Sequence, residues 1–169
     1  LPFSYYDDKQ QPIGYAMDLC MKIVDGVKAE LKLPKLDVKY QLVTSANRIP
    51  QLVSGNIDII AATMTKNPER AQQIDFSHAY FLTGQKFIAP MGALHSLKDL
   101  EGKRIATAKG STSEQNVKRA VPSATVLSFD DYPQAFLALR QKRVAAITTD
   151  EAILAGILAK APDKTAYEI

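Results

Sequence analysis

Arg104-Ile105-Ala106-Thr107-Ala108-Lys109-Gly110-Ser111-Thr112-Ser113-Glu114 decides the fold. Five residues of strand composition run into a Lys-Gly-Ser turn, and a helical pattern follows over Thr112–Ala120. The alternation then repeats. Residues 124–129 read as a strand, 131–142 as a helix, 144–149 as a strand and 152–161 as a final helix. Strands alternating with helices define an α/β fold with a largely parallel sheet.

Upstream, residues 87–90 are apolar and extended, Ile57-Asp58-Ile59-Ile60-Ala61-Ala62 reads as a buried strand, and 38–42 alternates as a strand does. A helix is expected over 18–31, with Met17, Cys20, Ile23, Val24, Val27 and Leu31 on one face and Pro34 beyond its end. Tyr5-Tyr6 looks like a strand end entering a turn that closes near Pro12. Residues 44–55 open a short helix with Asn47 as its cap, because Pro50 must lie in the first turn. The helix–strand unit at Leu52, Gly55 and Ile57 is echoed at Leu139, Lys142 and Val144. Two similar lobes joined near 89–96 explain the echo, and so does shared helix–strand architecture without duplication.

The 169 residues suit one ordinary domain or two small ones, with 46% hydrophobic and 23% charged residues. A net charge of +3 without a basic block argues against nucleic acid as a partner. No apolar run approaches a membrane span, and no targeting segment is visible at residue 1. Cys20 is the only cysteine, which excludes an intrachain disulfide, and it reads as a small core residue. No His/Cys/Asp/Glu cluster has metal spacing, so neither metal nor cofactor is expected. His78 reads as a packing or surface residue, and His95 as solvated.

Four places stand where a strand's carboxyl end meets a helix, which is where open α/β sheets bind ligands. In Thr63-Met64-Thr65-Lys66-Asn67-Pro68-Glu69-Arg70, Asn67 can cap a helix that Pro68 begins. Arg70 then falls in the first turn, the wrong end for a cation unless an anion sits there too. Ser45 and Arg48 repeat the arrangement. Either arginine could instead be a surface residue or half of an ion pair. Ser111 and Glu114 match a capping box, and the same turn presents the Thr112 hydroxyl and backbone N–H groups to an anion. Asp150 reads either as an N-cap or as a carboxylate that receives an ammonium. Two guanidiniums, two hydroxyl-rich turns and one carboxylate complement a ligand with two carboxylates and one amine, such as glutamate or aspartate.

A longer ordered series carries a resemblance. Pro2-Phe3-Ser4-Tyr5-Tyr6, Gly14-Tyr15-Ala16-Met17-Asp18, Thr44 to Pro50, Asn67-Pro68-Glu69-Arg70, Asp75-Phe76-Ser77, Leu97 to Lys103, Gly110 to Glu114 and Asp150 follow in order. The pattern resembles the polar amino acid-binding proteins of ABC importers, the extracellular solute-binding proteins of family 3, and most of all their glutamate/aspartate branch. The resemblance implies a type II periplasmic-binding-protein architecture, with lobe 1 over 1–91 and lobe 2 over 92–169. It implies that Arg70 with Thr65 takes an α-carboxylate, helped by Thr112 and Ser111, while Asp150 takes the α-ammonium. Arg48, Ser45 and Thr63 would face the side-chain carboxylate. It further implies a periplasmic or membrane-anchored extracellular location, a permease partner and no catalysis.

The chain also departs from the family. Members begin with a strand and loop before the position of Phe3, continue past Ile169, and in the acidic branch often have a histidine where Tyr132 stands. The first lobe is therefore expected to be incomplete, through a shortened chain or completion by further residues or by another chain, as in a chain-completing dimer. Two rival roles on the same scaffold are an amino-acid-sensing domain of a receptor or sensor kinase, and a cyclohexadienyl dehydratase-like enzyme.

Overall fold

The computed structural model describes residues 2–169. They fold as two compact units, one comprising 2–43 and 48–77, the other 44–47 and 78–169.

In the first unit, β1 (Tyr5–Tyr6) and β2 (Pro12–Ile13) form a small antiparallel hairpin. Asp7 closes its turn, its carboxylate accepting from the N–H groups of Lys9 and Gln11. Helix α1 (Tyr15–Glu30) follows, starting earlier than the apolar spacing indicates. Its entry is set by Gly14 at φ 119°, where an added Cβ would lie 2.6 Å from the Phe3 carbonyl oxygen. That carbonyl accepts the Ala16 N–H at 2.8 Å, so the hairpin strand satisfies a donor that the helix start leaves open. Two short helices complete the unit, α2 (Arg48–Val53) and α3 (Pro68–Ala71).

The expected strands at 38–42 and 57–62 do not form. Their patterns are those of strands, but a strand exists only through its ladder partner, and neither segment enters a sheet. The apolar face expected of α1 is likewise only partly covered. Ala16 and Met17 are buried, whereas Ile23, Val27 and Leu31 are exposed.

The second unit follows the sequence reading closely. Its five-stranded sheet runs β5-β4-β6-β3-β7, with β3 at Gln85–Pro90, β4 at Arg104–Ala108, β5 at Thr125–Phe129, β6 at Ala146–Asp150 and β7 at Tyr167–Glu168. β4 pairs in parallel with β5 and β6, while β3 runs antiparallel to β6 and β7. The sheet is thus mixed, and β3, expected in the first lobe, is one of its inner strands.

Helix α4 (Thr112–Ala120) lies between β4 and β5, α5 (Tyr132–Arg140) between β5 and β6, and α6 (Glu151–Lys160) after β6. Alternate residues of each strand serve opposite faces. Ile105, Ala89 and Ala146 pack with Val117, Val121 and Leu100 on the α4 side. Ile88, Ala106 and Ile147 pack with Phe136, Leu139 and Leu154 of α5 and α6 on the other. A sheet covered on both faces explains why β4 and β6 are buried at four of their five residues, threonines included.

Candidate functional site

In the first unit, Arg70 and Arg48 are only 8% and 6% exposed, and arginine is rarely buried so far without a directed partner. Asn67 caps α3 as expected, its Oδ1 accepting the Arg70 N–H at 2.9 Å. The Arg70 guanidinium donates from Nη1 to the Thr65 carbonyl at 3.0 Å, and Arg48 Nη1 donates to the Thr63 carbonyl at 2.6 Å. Each arginine is therefore brought to its expected threonine, but through the main chain, where the sequence reading relied on the hydroxyls. The helices also differ from expectation. α3 is one turn and α2 only six residues, so few peptide dipoles add up and the penalty for a cation there is small. Burial and directed hydrogen bonding single out these arginines instead.

Asn47, the expected cap of α2, bonds within its own turn. Its Oδ1 accepts the Thr44 N–H at 2.7 Å, closing a turn over 44–47 that belongs to the second unit. Ser45 lies half-buried in that turn, so it is not brought into the same unit as Arg48 and Thr63.

In the second unit, β4 ends in a turn where Gly110 takes φ 73°. A Cβ there would lie 2.9 Å from the Ala46 Cα, so this position favours glycine on both counts. Ser111 caps α4, its Oγ accepting the Glu114 N–H at 3.2 Å. The reciprocal half of the box shifts by one residue, because Glu114 Oε2 accepts from the Gly110 N–H at 2.9 Å. Glu114 Oε1 also accepts from Lys118 Nζ and Ser128 Oγ, each at 2.8 Å. Burial by itself pushes the Glu114 carboxyl up. The bonds from Lys118, Gly110 and Ser128, with the Lys118 charge, outweigh it and hold the carboxyl below its usual range.

Asp150 ends β6 at the start of α6, and its side chain makes no cap hydrogen bond. The ordinary capping role therefore does not account for it. Thr112 and Asp150 are half-buried and Ser111 is buried. The structure places all three at the carboxyl ends of the parallel strands β4 and β6.

Sequence reasoning missed the polar layer beneath these residues. Thr107, Thr148 and Thr149 are almost fully buried. Thr107 Oγ1 donates to the Thr148 carbonyl at 2.9 Å and lies 3.4 Å from Ser111 Oγ. Gln85 joins the same layer from β3. The available signal was a run of threonines in strands otherwise built of Ile and Ala.

The geometry defines a class, an α/β protein whose second unit collects polar groups at the carboxyl ends of its parallel strands. Residues 1–160 match the bacterial extracellular solute-binding proteins, family 3. The chain is 39% identical over 167 residues to an L-glutamate/L-aspartate-binding protein of Pseudomonas aeruginosa, covering 95% of this chain and 55% of the relative. It is 34% identical to a glutamate/aspartate import solute-binding protein of Escherichia coli, over 100% of this chain and 58% of the relative. A glutamine-binding protein of Bacillus subtilis is 39% identical over 85% of this chain and 52% of the relative. The chain thus spans little more than half of each. An ancestral arginine-binding protein bound to arginine superposes with a TM-score of 0.89 at 33% identity, over 99% of this chain and 72% of that one. The chain belongs to family 3 of the bacterial extracellular solute-binding proteins. Its fold is that of the two-lobed amino-acid-binding proteins.

Proposed function

We propose that this chain captures an acidic L-amino acid, glutamate or aspartate, on the periplasmic or extracellular side of a bacterial membrane for an ABC importer. Arg70 takes the α-carboxylate, with Thr65 holding its guanidinium and the α4 turn at Ser111 and Thr112 adding donors. Asp150 receives the α-ammonium. Arg48, with Thr63 and Ser45, faces the side-chain carboxylate. The observation that carries the reading is the buried Arg70 guanidinium, oriented by a main-chain carbonyl as a carboxylate clamp must be. The glutamate/aspartate-binding relatives support the acidic choice. The role is binding without catalysis, since the eight residues offer hydroxyls, guanidiniums and one carboxylate but no second proton-transfer group.

The glutamine-binding relative favours a second reading, with the same α-group clamp but a neutral side-chain pocket. Isothermal titration with L-glutamate, L-aspartate, L-glutamine and L-arginine separates the two. Tight binding of glutamate or aspartate, much weaker binding of glutamine, and loss of that preference in Arg48→Met support the acidic reading. A preference for glutamine or arginine overturns it and removes Arg48 from the ligand contacts.

A further inference from the structure

We infer that Gln85 is a positioning residue, a brace that sets the α4 turn and the end of β6 in register for the ligand's α-amino and α-carboxylate groups. The inference rests on the proposed roles of Ser111, Thr112 and Asp150.

Gln85 opens β3, paired in register with Asp150. Its side-chain amide makes three bonds at once. Nε2 donates to Thr148 Oγ1 at 2.9 Å and to the Ser113 carbonyl at 3.3 Å, while Oε1 accepts from Asn116 Nδ2 at 2.9 Å. One planar group thus ties the N-terminal half of α4, through Ser113 and Asn116, to β6 through Thr148. The two elements it joins are those that carry the expected ligand contacts of this unit.

The surroundings dictate which way the amide points. Thr148 Oγ1 donates its single hydrogen to the Lys86 carbonyl at 2.7 Å, so toward Gln85 it can only accept. The Ser113 carbonyl can only accept as well. The NH2 edge must therefore face Thr148 and Ser113, and the oxygen must face Asn116. A glutamate at 85 would set a carboxylate oxygen against two acceptors, so the near-isosteric change is not conservative here. Gln85 is half-buried, which leaves these bonds partly shielded from water.

A brace for the α-groups acts equally on every α-amino acid, whatever its side chain. The test is titration of the full natural chain and its Gln85→Met and Gln85→Glu variants with L-glutamate and L-glutamine, alongside thermal melts without ligand. The expected result is a loss of affinity of about ten-fold or more for both ligands, with their ratio unchanged and the melting temperature nearly kept. Unchanged affinity overturns the inference, and so does a loss confined to one ligand. Should the Gln85 variants fail to fold, Asn116→Ala tests the same amide from its exposed side, and unaltered affinity in that variant overturns the inference equally. Asp150→Asn is measured beside them. If it binds normally, the reading of the site fails, whereas loss in Asp150→Asn with no effect at Gln85 removes the brace alone.

Discussion

Arg70 and Lys66 lie four residues apart on the same short segment, yet one is 8% exposed and the other is on the surface. That contrast makes them a matched pair. Arg70→Ala is expected to abolish amino acid binding by titration, because it removes a buried charged donor, whereas Lys66→Ala changes affinity little. Equal effects from the two would sink the clamp. Asp150 offers the complementary test. Asn keeps its shape and loses its charge, so Asp150→Asn should weaken binding by roughly 10–100-fold, the scale of one charge-assisted hydrogen bond. Free-ligand titration with amines or carboxylic acids lacking one α-group should then lose the dependence on the partner residue.

At the scale of elements, the α4 turn is held by Glu114. Its carboxyl is held below the usual range in the folded chain, so the stability it contributes is present above the ordinary glutamate pKa and is lost as pH falls through the lowered value. Glu114→Gln should therefore flatten the acid limb of the stability–pH curve, measured by denaturant melts, with the loss of stability largest at neutral pH and shrinking in acid. A steeper acid limb would contradict the bonding described. Serine capping has a similar local basis, and Ser111→Ala at the same turn is worth about 1 kcal/mol. The pattern of short elements also explains what was hard to read. Asn67 caps α3 where the sequence places it, but nothing local in the sequence marks α3 as a single turn.

At the scale of the molecule, the two units differ in how well they are covered. The second buries both faces of its sheet. The first leaves Leu42 72%, Val53 64% and Ile59 47% exposed, on or beside segments that read as strands but pair with nothing among the described residues. Native-state hydrogen exchange of this chain should accordingly be slowest at the amides of β4 and β6 and fastest over 38–42 and 57–62. Slow exchange over 57–62 would show that a ladder forms there after all. Ligand binding should also raise the melting temperature in proportion to the logarithm of its concentration over Kd, as for any ligand held by the folded state alone.

The sequence alone determined what is local. Local pattern located α4 to the residue, through its spacing and its Ser111 cap, and the cores of β4, β5 and β6, through runs of strand composition bounded by turns. It also singled out Arg48, Arg70, Ser111, Thr112 and Asp150, since unusual residue types at helix starts are visible without any partner. Tertiary structure decided the rest. Pairing made β3 an inner antiparallel strand and left 57–62 without a ladder, because a strand's identity depends on a neighbour distant in the chain. It turned Thr63 and Thr65 into carbonyl acceptors for buried guanidiniums. It brought Gln85 within hydrogen-bond reach of Thr148, 63 residues away, a contact that no periodicity encodes because only the closed sheet creates it.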